Sequence, residues 1–206
     1  VKVTVVEMLP EILPNMDVEL VEYLRQILEA RGIRILTSAT VKAVRLTENG
    51  YATVVATDAE EEIVTEKVFV CTGRRPFTQG LGLEEIGVRT ERGRVAVDER
   101  MRTSVPGIYA IGDVSSPVQL AHVAAAQGTA CVERLAGRTP SVRLDLVPGC
   151  VYCRPEIASV GLTEADGKAR DIPVKVGKCT LFANARTMSY TYDSAGHLTQ
   201  VTYADG

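Results

Sequence analysis

The stretch Thr103-Ser-Val-Pro-Gly-Ile-Tyr-Ala-Ile-Gly-Asp113 carries the most specific chemistry in the chain. An apolar run ends in Gly112, where the missing Cβ lets backbone approach a ligand closely. Asp113 follows, and an ionised carboxylate only accepts hydrogen bonds, so it suits the hydroxyls of a sugar-alcohol chain such as a flavin's. A helix is expected to start at Gln119-Leu120-Ala121-His122. Its first turn offers backbone N–H groups and the positive end of the helix dipole, which stabilise negative charge collecting on a bound ring. His122 fits a first-turn backbone contact better than a catalytic role. Glu7 ends a β-branched run, where an acid accepts from the ribose hydroxyls of a dinucleotide and repels an added phosphate. The glycine loop that cradles the pyrophosphate belongs about 20 residues before such an acid, and Val1 comes first here. Cys150 and Cys153 have redox or zinc spacing. A redox pair needs its first Cys at a helix N-terminus, however, and this one falls in an expected strand, with no second pair to complete a zinc site.

These residues need elements to hold them. Residues 1–6 read as a strand, followed by a connection punctuated by Pro10 and Pro14. Val18, Val21, Leu24, Ile27 and Leu28 recur at helical spacing behind the N-cap candidate Asp17, and Gly32 marks the helix end. Residues 33–36 then form the next strand of a parallel sheet. Strands at 40–46, 51–56 and 63–66 follow, the first two joined by the turn Asn49-Gly50, which makes an antiparallel meander. Residues 68–72 and 108–111 read as buried strands, 95–97 as a short strand, and 120–135 as a helix ended by Gly137. Paired strands at 150–153 and 158–161, a short helix at 163–169 and a strand at 174–179 complete an α+β segment.

Composition narrows the partners. A net charge of −3 gives no basic face for nucleic acid, and no run approaches the roughly 20 apolar residues of a membrane span. Five dispersed cysteines are an odd number and do not form a secreted disulfide framework. With no targeting segment, cytoplasm is the expected compartment.

The segments VKVTVVEMLPEILPNMD, VFVCTGRRPFT, RTSVPGIYAIGDV, QLAHVAAAQG and VPGCVYCRPEIASVGLTE resemble the dihydrolipoamide dehydrogenase family in order and spacing, over roughly residues 1–186. Glutathione and mercuric reductases share that architecture, and EMLPEILP after the strand is more similar to the lipoamide enzymes and NAD. The resemblance implies an α/β chain: incomplete FAD/NAD(P)-binding Rossmann-like domains followed by a truncated α+β dimerisation domain. Its implied boundaries are 1–75 for the NAD part, 76–145 for the returning FAD part, and 146–187 for the start of the interface domain. It further implies that Glu7, Val41 and Gly73 contact NAD, with Glu7 on the ribose and Val41 near the adenine. Gly112, Asp113, Gln119, Leu120, Ala121 and His122 would contact FAD. The parent would be a homodimer that oxidises dihydrolipoamide through a protein disulfide and FAD, serving 2-oxoacid dehydrogenase or glycine cleavage complexes through lipoyl groups.

The departures are also specific. No cysteine pair here has the family's CxxxxC spacing, and the His-Pro segment with its Glu partner does not occur. The 206 residues alone are therefore expected to form no NADH from dihydrolipoamide above a blank, and to fold poorly or self-associate. Residues 188–206 instead resemble one YD repeat of the rearrangement-hotspot shell proteins, a hairpin around Ser194-Ala195-Gly196. That leaves two alternatives to the oxidoreductase: a YD-repeat shell or toxin protein with a flavoprotein-like segment, or a non-catalytic nucleotide-binding module.

Overall fold

The computed structural model describes residues 1–181, 186–193 and 198–205, with side chains as far as residue 178. It divides into two compact units, Val1–Val70 with Pro148–Gly206, and Cys71–Val147. Most of the NAD segment and of the interface segment expected from the sequence fall in the first unit, whose cuts lie at 70/71 and 147/148.

In the first unit, β1 (Thr4–Val6) pairs in parallel with β2 (Arg34–Leu36), Val5 opposite Ile35. Helix α1 (Val18–Ala30) makes the crossover between them. The helix forms here because Asp17, in an extended conformation, accepts the Glu19 N–H on Oδ1 at 3.0 Å, and because Leu20, Val21 and Leu24 fall on one buried face. It ends in a Schellman motif: Gly32 takes φ +85° while its N–H meets Glu29 O at 2.8 Å and the Ile33 N–H meets Leu28 O at 3.1 Å. Strands β3 (Thr40–Thr47), β4 (Gly50–Ala56) and β5 (Glu60–Thr65) form the expected meander around Asn49-Gly50. Arg34 of β2 makes a two-pronged ion pair with Glu61 of β5 at 2.8–3.0 Å, which orients the meander more than it stabilises it.

The other half of this unit is a five-stranded sheet, ordered β10 (Val174–Leu181), β11 (Arg186–Asp193), β12 (Leu198–Asp205), β9 (Ile157–Gly161), β8 (Pro148–Val151). The tail forms the expected hairpin, β11 paired antiparallel with β12, within this larger sheet. Strands β11 and β12 each have a neighbour on both sides, and Tyr203 lies opposite Ala158 of β9. The turn residues 194–196 lie outside the described residues. What joins the two sequence segments is an apolar core of Leu20, Leu24 and fully buried Ile157, ringed by Ile12, Leu13, Met16, Leu28, Val151 and Cys153. Lys178 of β10 also pairs with Glu19 of α1.

A six-residue helix, α3 (Glu164–Ala169), is too short to stand on propensity and depends on its cap. Thr163 Oγ1 accepts the Asp166 N–H, and Asp166 Oδ2 accepts the Thr163 N–H, each at 3.0 Å. The Thr163 hydroxyl, which donates to Asp166 Oδ2 at 2.7 Å, and then the Thr163 N–H hold the Asp166 carboxyl below its ordinary value of 3.8. A depressed acid contributes stability above that value and loses it as pH falls through the folded pKa. Thr163→Ala is expected to cost about 1 kcal/mol, or about 3 °C of melting temperature. It should also flatten the acid limb of stability below pH 3.8, both read by thermal melts at several pH values.

The second unit contains a small hairpin, β6 (Thr90–Glu91) with β7 (Arg94–Val95), and helix α2 (Ala121–Leu135). Met101, Ala130 and Cys131 form its core, with Tyr109, Val142 and Leu144 against them. Two sequence expectations need correction. Residues 68–72 are not a buried strand: among the described residues they have no ladder partner, and Phe69 and Val70 are 88% and 73% exposed. Residues 108–110 are likewise only half-buried and Ile111 is exposed, the segment being held by a bridge between Arg102 and Tyr109 and by the Ala110 N–H on Met101 O. β-branched composition suits a ladder but cannot supply its partner strand.

Candidate functional site

In the second unit, Gly112 begins a short 3-10 turn (Gly112–Val114), followed at Ala121 by α2. Gly112 is buried with φ +69°, a left-handed conformation that side chains resist. Its missing Cβ also serves packing: a Cβ there would lie 3.0 Å from Ala124 Cβ on α2. The carbonyl of Gly112 accepts from Ser115 and Ser116 N–H at 3.0 and 2.7 Å, which closes the turn.

This turn places Asp113 in a cleft of about 460 Å³ lined by Arg74, Arg75, Pro76, Phe77, Val114 and Gln119. The Asp113 side chain is 42% exposed, and Arg74 Nη1 stands 3.7 Å from its Oδ2. Gln119 Nε2 is buried without a hydrogen-bond partner, so the cleft wall carries a donor with no acceptor. An unmade buried bond of this kind costs about 1–3 kcal/mol, and an acceptor in the cleft would remove that cost. Leu120 is the N-cap of α2 and provides no side-chain cap, so the start of the helix can face an anionic group. Ala121 and His122 occupy the first turn and are exposed.

Of the other expected residues, Glu7 and Val41 lie in the first unit and Gly73 in the second. Glu7, half-buried at the end of β1, donates its N–H to Leu36 O at 2.8 Å, and its Oε1 accepts the Leu9 N–H at 2.8 Å. A carboxylate has further acceptor positions, so this local bond leaves capacity for hydroxyls. Val41 is the second residue of β3, 46% exposed and opposite Val55. Gly73 belongs to the second unit and has φ +90° with open space around it. Sequence reasoning singled out Asp113 and Gln119 but not Arg74, Arg75 and Phe77, which the cleft adds. The run Gly73-Arg74-Arg75-Pro76 was the available signal, two cations beside a turn.

Cys150 and Cys153 are free, Cys150 exposed on β8 and Cys153 half-buried beyond it. Burial pushes the Cys153 thiol up, with Glu156 adding to the effect, and its Sγ–H is bonded to Pro155 O. A nucleophilic thiol has the opposite shift. Alkylation with peptide mapping is expected to label Cys71 and Cys150 well ahead of Cys153 and buried Cys131.

The crossover pair with its meander, the capless helix beside an acid-bearing cleft, and the five-stranded antiparallel sheet define an α/β chain built from nucleotide-site and interface-type parts. The chain belongs to the pyridine nucleotide-disulphide oxidoreductase family, which it matches over residues 1–128, and its residues 147–204 match that family's dimerisation domain. The dimerisation match runs through the tail and so accounts for β11 and β12 within the family. The chain is 44% identical to a mitochondrial dihydrolipoyl dehydrogenase of Pisum sativum, over 90% of this chain and 38% of that protein. It is 41% identical to a dihydrolipoyl dehydrogenase of Rhizobium etli, over 94% of this chain and 41% of that protein. Against a leghemoglobin reductase of Glycine max the identity is 43%, over 90% and 36%. The crystal structure of LpdA from Mycobacterium tuberculosis superposes with a TM-score of 0.88 at 29% identity, covering all of this chain and 47% of that one. The chain thus spans about two fifths of the curated relatives it matches. Among the described residues no helix is long and apolar enough to cross a membrane.

Proposed function

We propose that the chain supplies cofactor-holding parts of a flavoprotein disulfide oxidoreductase that oxidises dihydrolipoamide with NAD. The observation that carries this reading is the cleft beside Asp113, which combines an accepting carboxylate with the unpartnered Gln119 amide. Those two groups fit FAD: Asp113 would accept from the ribityl hydroxyls, and Gln119 would donate to a polar atom of the cofactor. The backbone at Leu120, Ala121 and His122 would face the pyrimidine edge, where the helix dipole favours the charge of the reduced state. When bound, FAD supplies the two-electron chemistry that links a disulfide to the nicotinamide. Glu7 would accept from the ribose of NAD, Val41 would cover the adenine, and Gly73 would let backbone approach the dinucleotide.

Wild-type protein titrated with FAD should quench flavin fluorescence saturably, and failure to do so at millimolar concentrations would refute the reading. Glu7→Gln is expected to weaken NAD about tenfold or less while narrowing its preference over NADP, because the repelling charge is gone. Isothermal titration with the two nucleotides reads that directly. The dimerisation-domain match supports a homodimer and the relatives' names a lipoyl substrate; the partners we propose on that basis are lipoyl-bearing 2-oxoacid dehydrogenase or glycine cleavage complexes. Exposed free thiols at Cys71 and Cys150 favour a reducing compartment such as the cytoplasm.

A further inference from the structure

We propose that Gln127 is a positioning residue of the flavin site, holding the Gly112–Asp113 turn on helix α2 so that Asp113 enters the cleft. The inference rests on the FAD reading above and adds the device that fixes its acid. Asp113 has little else to aim it. Residues 108–111 form no ladder strand, and the Arg102–Tyr109 bridge ends three residues short of Gly112. Three contacts with one face of α2 take over. Ile111 Cδ1 lies 3.2 Å from where a Cβ on Gly128 would stand, and Ala124 Cβ lies 3.0 Å from where a Cβ on Gly112 would stand. Between them the Gly112 N–H donates to Gln127 Oε1 at 2.7 Å.

Positions 124, 127 and 128 share a face at helical spacing. The two small residues there let the turn come close, but packing against small residues does not fix rotation. The hydrogen bond from Gln127 is the directional contact of the three. It meets a buried glycine whose carbonyl is already engaged by Ser115 and Ser116, so both backbone groups of Gly112 are pinned. With Gly112 pinned at φ +69°, the direction of the next side chain is set. Among the described residues, the hydrogen bond of the Gln127 side chain in AHVAAAQGTACV is this one, to a turn fifteen residues away.

The test compares Q127L, Q127E and D113A in purified protein, with V142A as a control that loosens the core without touching the turn. FAD affinity is read by flavin fluorescence, and amide exchange at Gly112 by NMR or fragmentation mass spectrometry. Q127L should expose the Gly112 amide to fast exchange and weaken FAD about ten- to hundredfold, the span expected for a lost bond to a buried N–H. Q127E keeps an acceptor in the same shape and should restore both. V142A should lower the melting temperature while leaving Gly112 exchange and FAD affinity unchanged. The role of Gln127 is overturned, and the flavin reading kept, if D113A loses FAD while Q127L retains native affinity and Gly112 protection. If D113A binds FAD as tightly as the native protein, Asp113 is no part of the flavin site and the role of Gln127 falls with it, whereas the flavin reading itself fails only if the native protein does not bind FAD. Should Q127L not fold, native affinity and exchange in Q127E still support the proposal, and fast Gly112 exchange in a folded Q127E overturns it.

Discussion

Asp113→Ala is expected to leave the purified protein colourless, with its affinity for FAD lowered at least about a hundredfold. A hydrogen bond to an ionised acceptor contributes about 1.5–3 kcal/mol, and each 1.4 kcal/mol is a factor of ten. A ribityl chain offers Asp113 more than one hydroxyl, so the loss is placed at the upper end. The cleft also holds Arg74, 78% exposed and 3.7 Å from the carboxylate. Alanine at 113 therefore leaves a cation without its partner beside the cofactor's path. Arg74→Ala should by contrast change FAD affinity less than threefold, because an exposed pair at that separation contributes little. Asp113→Asn separates charge from shape: it keeps one acceptor and should fall between the native protein and the alanine variant. Bound-flavin absorbance per chain after gel filtration measures all three. Native flavin content in Asp113→Ala would remove the acid from the site.

The contrast between Asp113 and Gln127 shows which features of such a site can be read from sequence. Asp113 is legible because its chemistry is local: an acid directly after a glycine, ahead of a helix start. Gln127 and Arg74 act on that same turn from 14 and 39 positions away, respectively, and only the folded chain brings them there. The elements divide in the same way. Helix α1 was readable because Asp17, the apolar spacing and Gly32 all lie within one segment, and the meander because Asn49-Gly50 sets the turn between β3 and β4. Residues 68–72 and 108–111 have strand composition, but a strand needs a neighbour, and composition is silent about whether one arrives. The hairpin of the tail was readable because its alternating Tyr and Thr are local, whereas the register that ties β12 to β9, some 40 residues earlier, was not.

That pairing makes the first unit depend on one side chain. Ile157→Ala is expected to destabilise it by about 2–5 kcal/mol, the range for truncating a buried isoleucine. The upper half of that range applies, since Ile157 is fully buried and has no solvent-facing side through which the site could relax. It sits at the start of β9, packed against Leu20 and Leu24 of α1, so it joins a helix near the beginning of the chain to a sheet near its end. The surrounding contacts cannot substitute. The Lys178–Glu19 pair is exposed on both sides and is worth little in water. Whole domains are stable by only about 5–15 kcal/mol, so the truncation takes a large share of what exists. Ile157→Val should cost about 1 kcal/mol. Leu24→Ala combined with Ile157→Ala should cost less than the sum of the two, because both empty the same cavity. Urea melts of the native protein and the four variants give these values. Additive losses would mean that α1 and β9 are stabilised independently, with no shared core between the two segments.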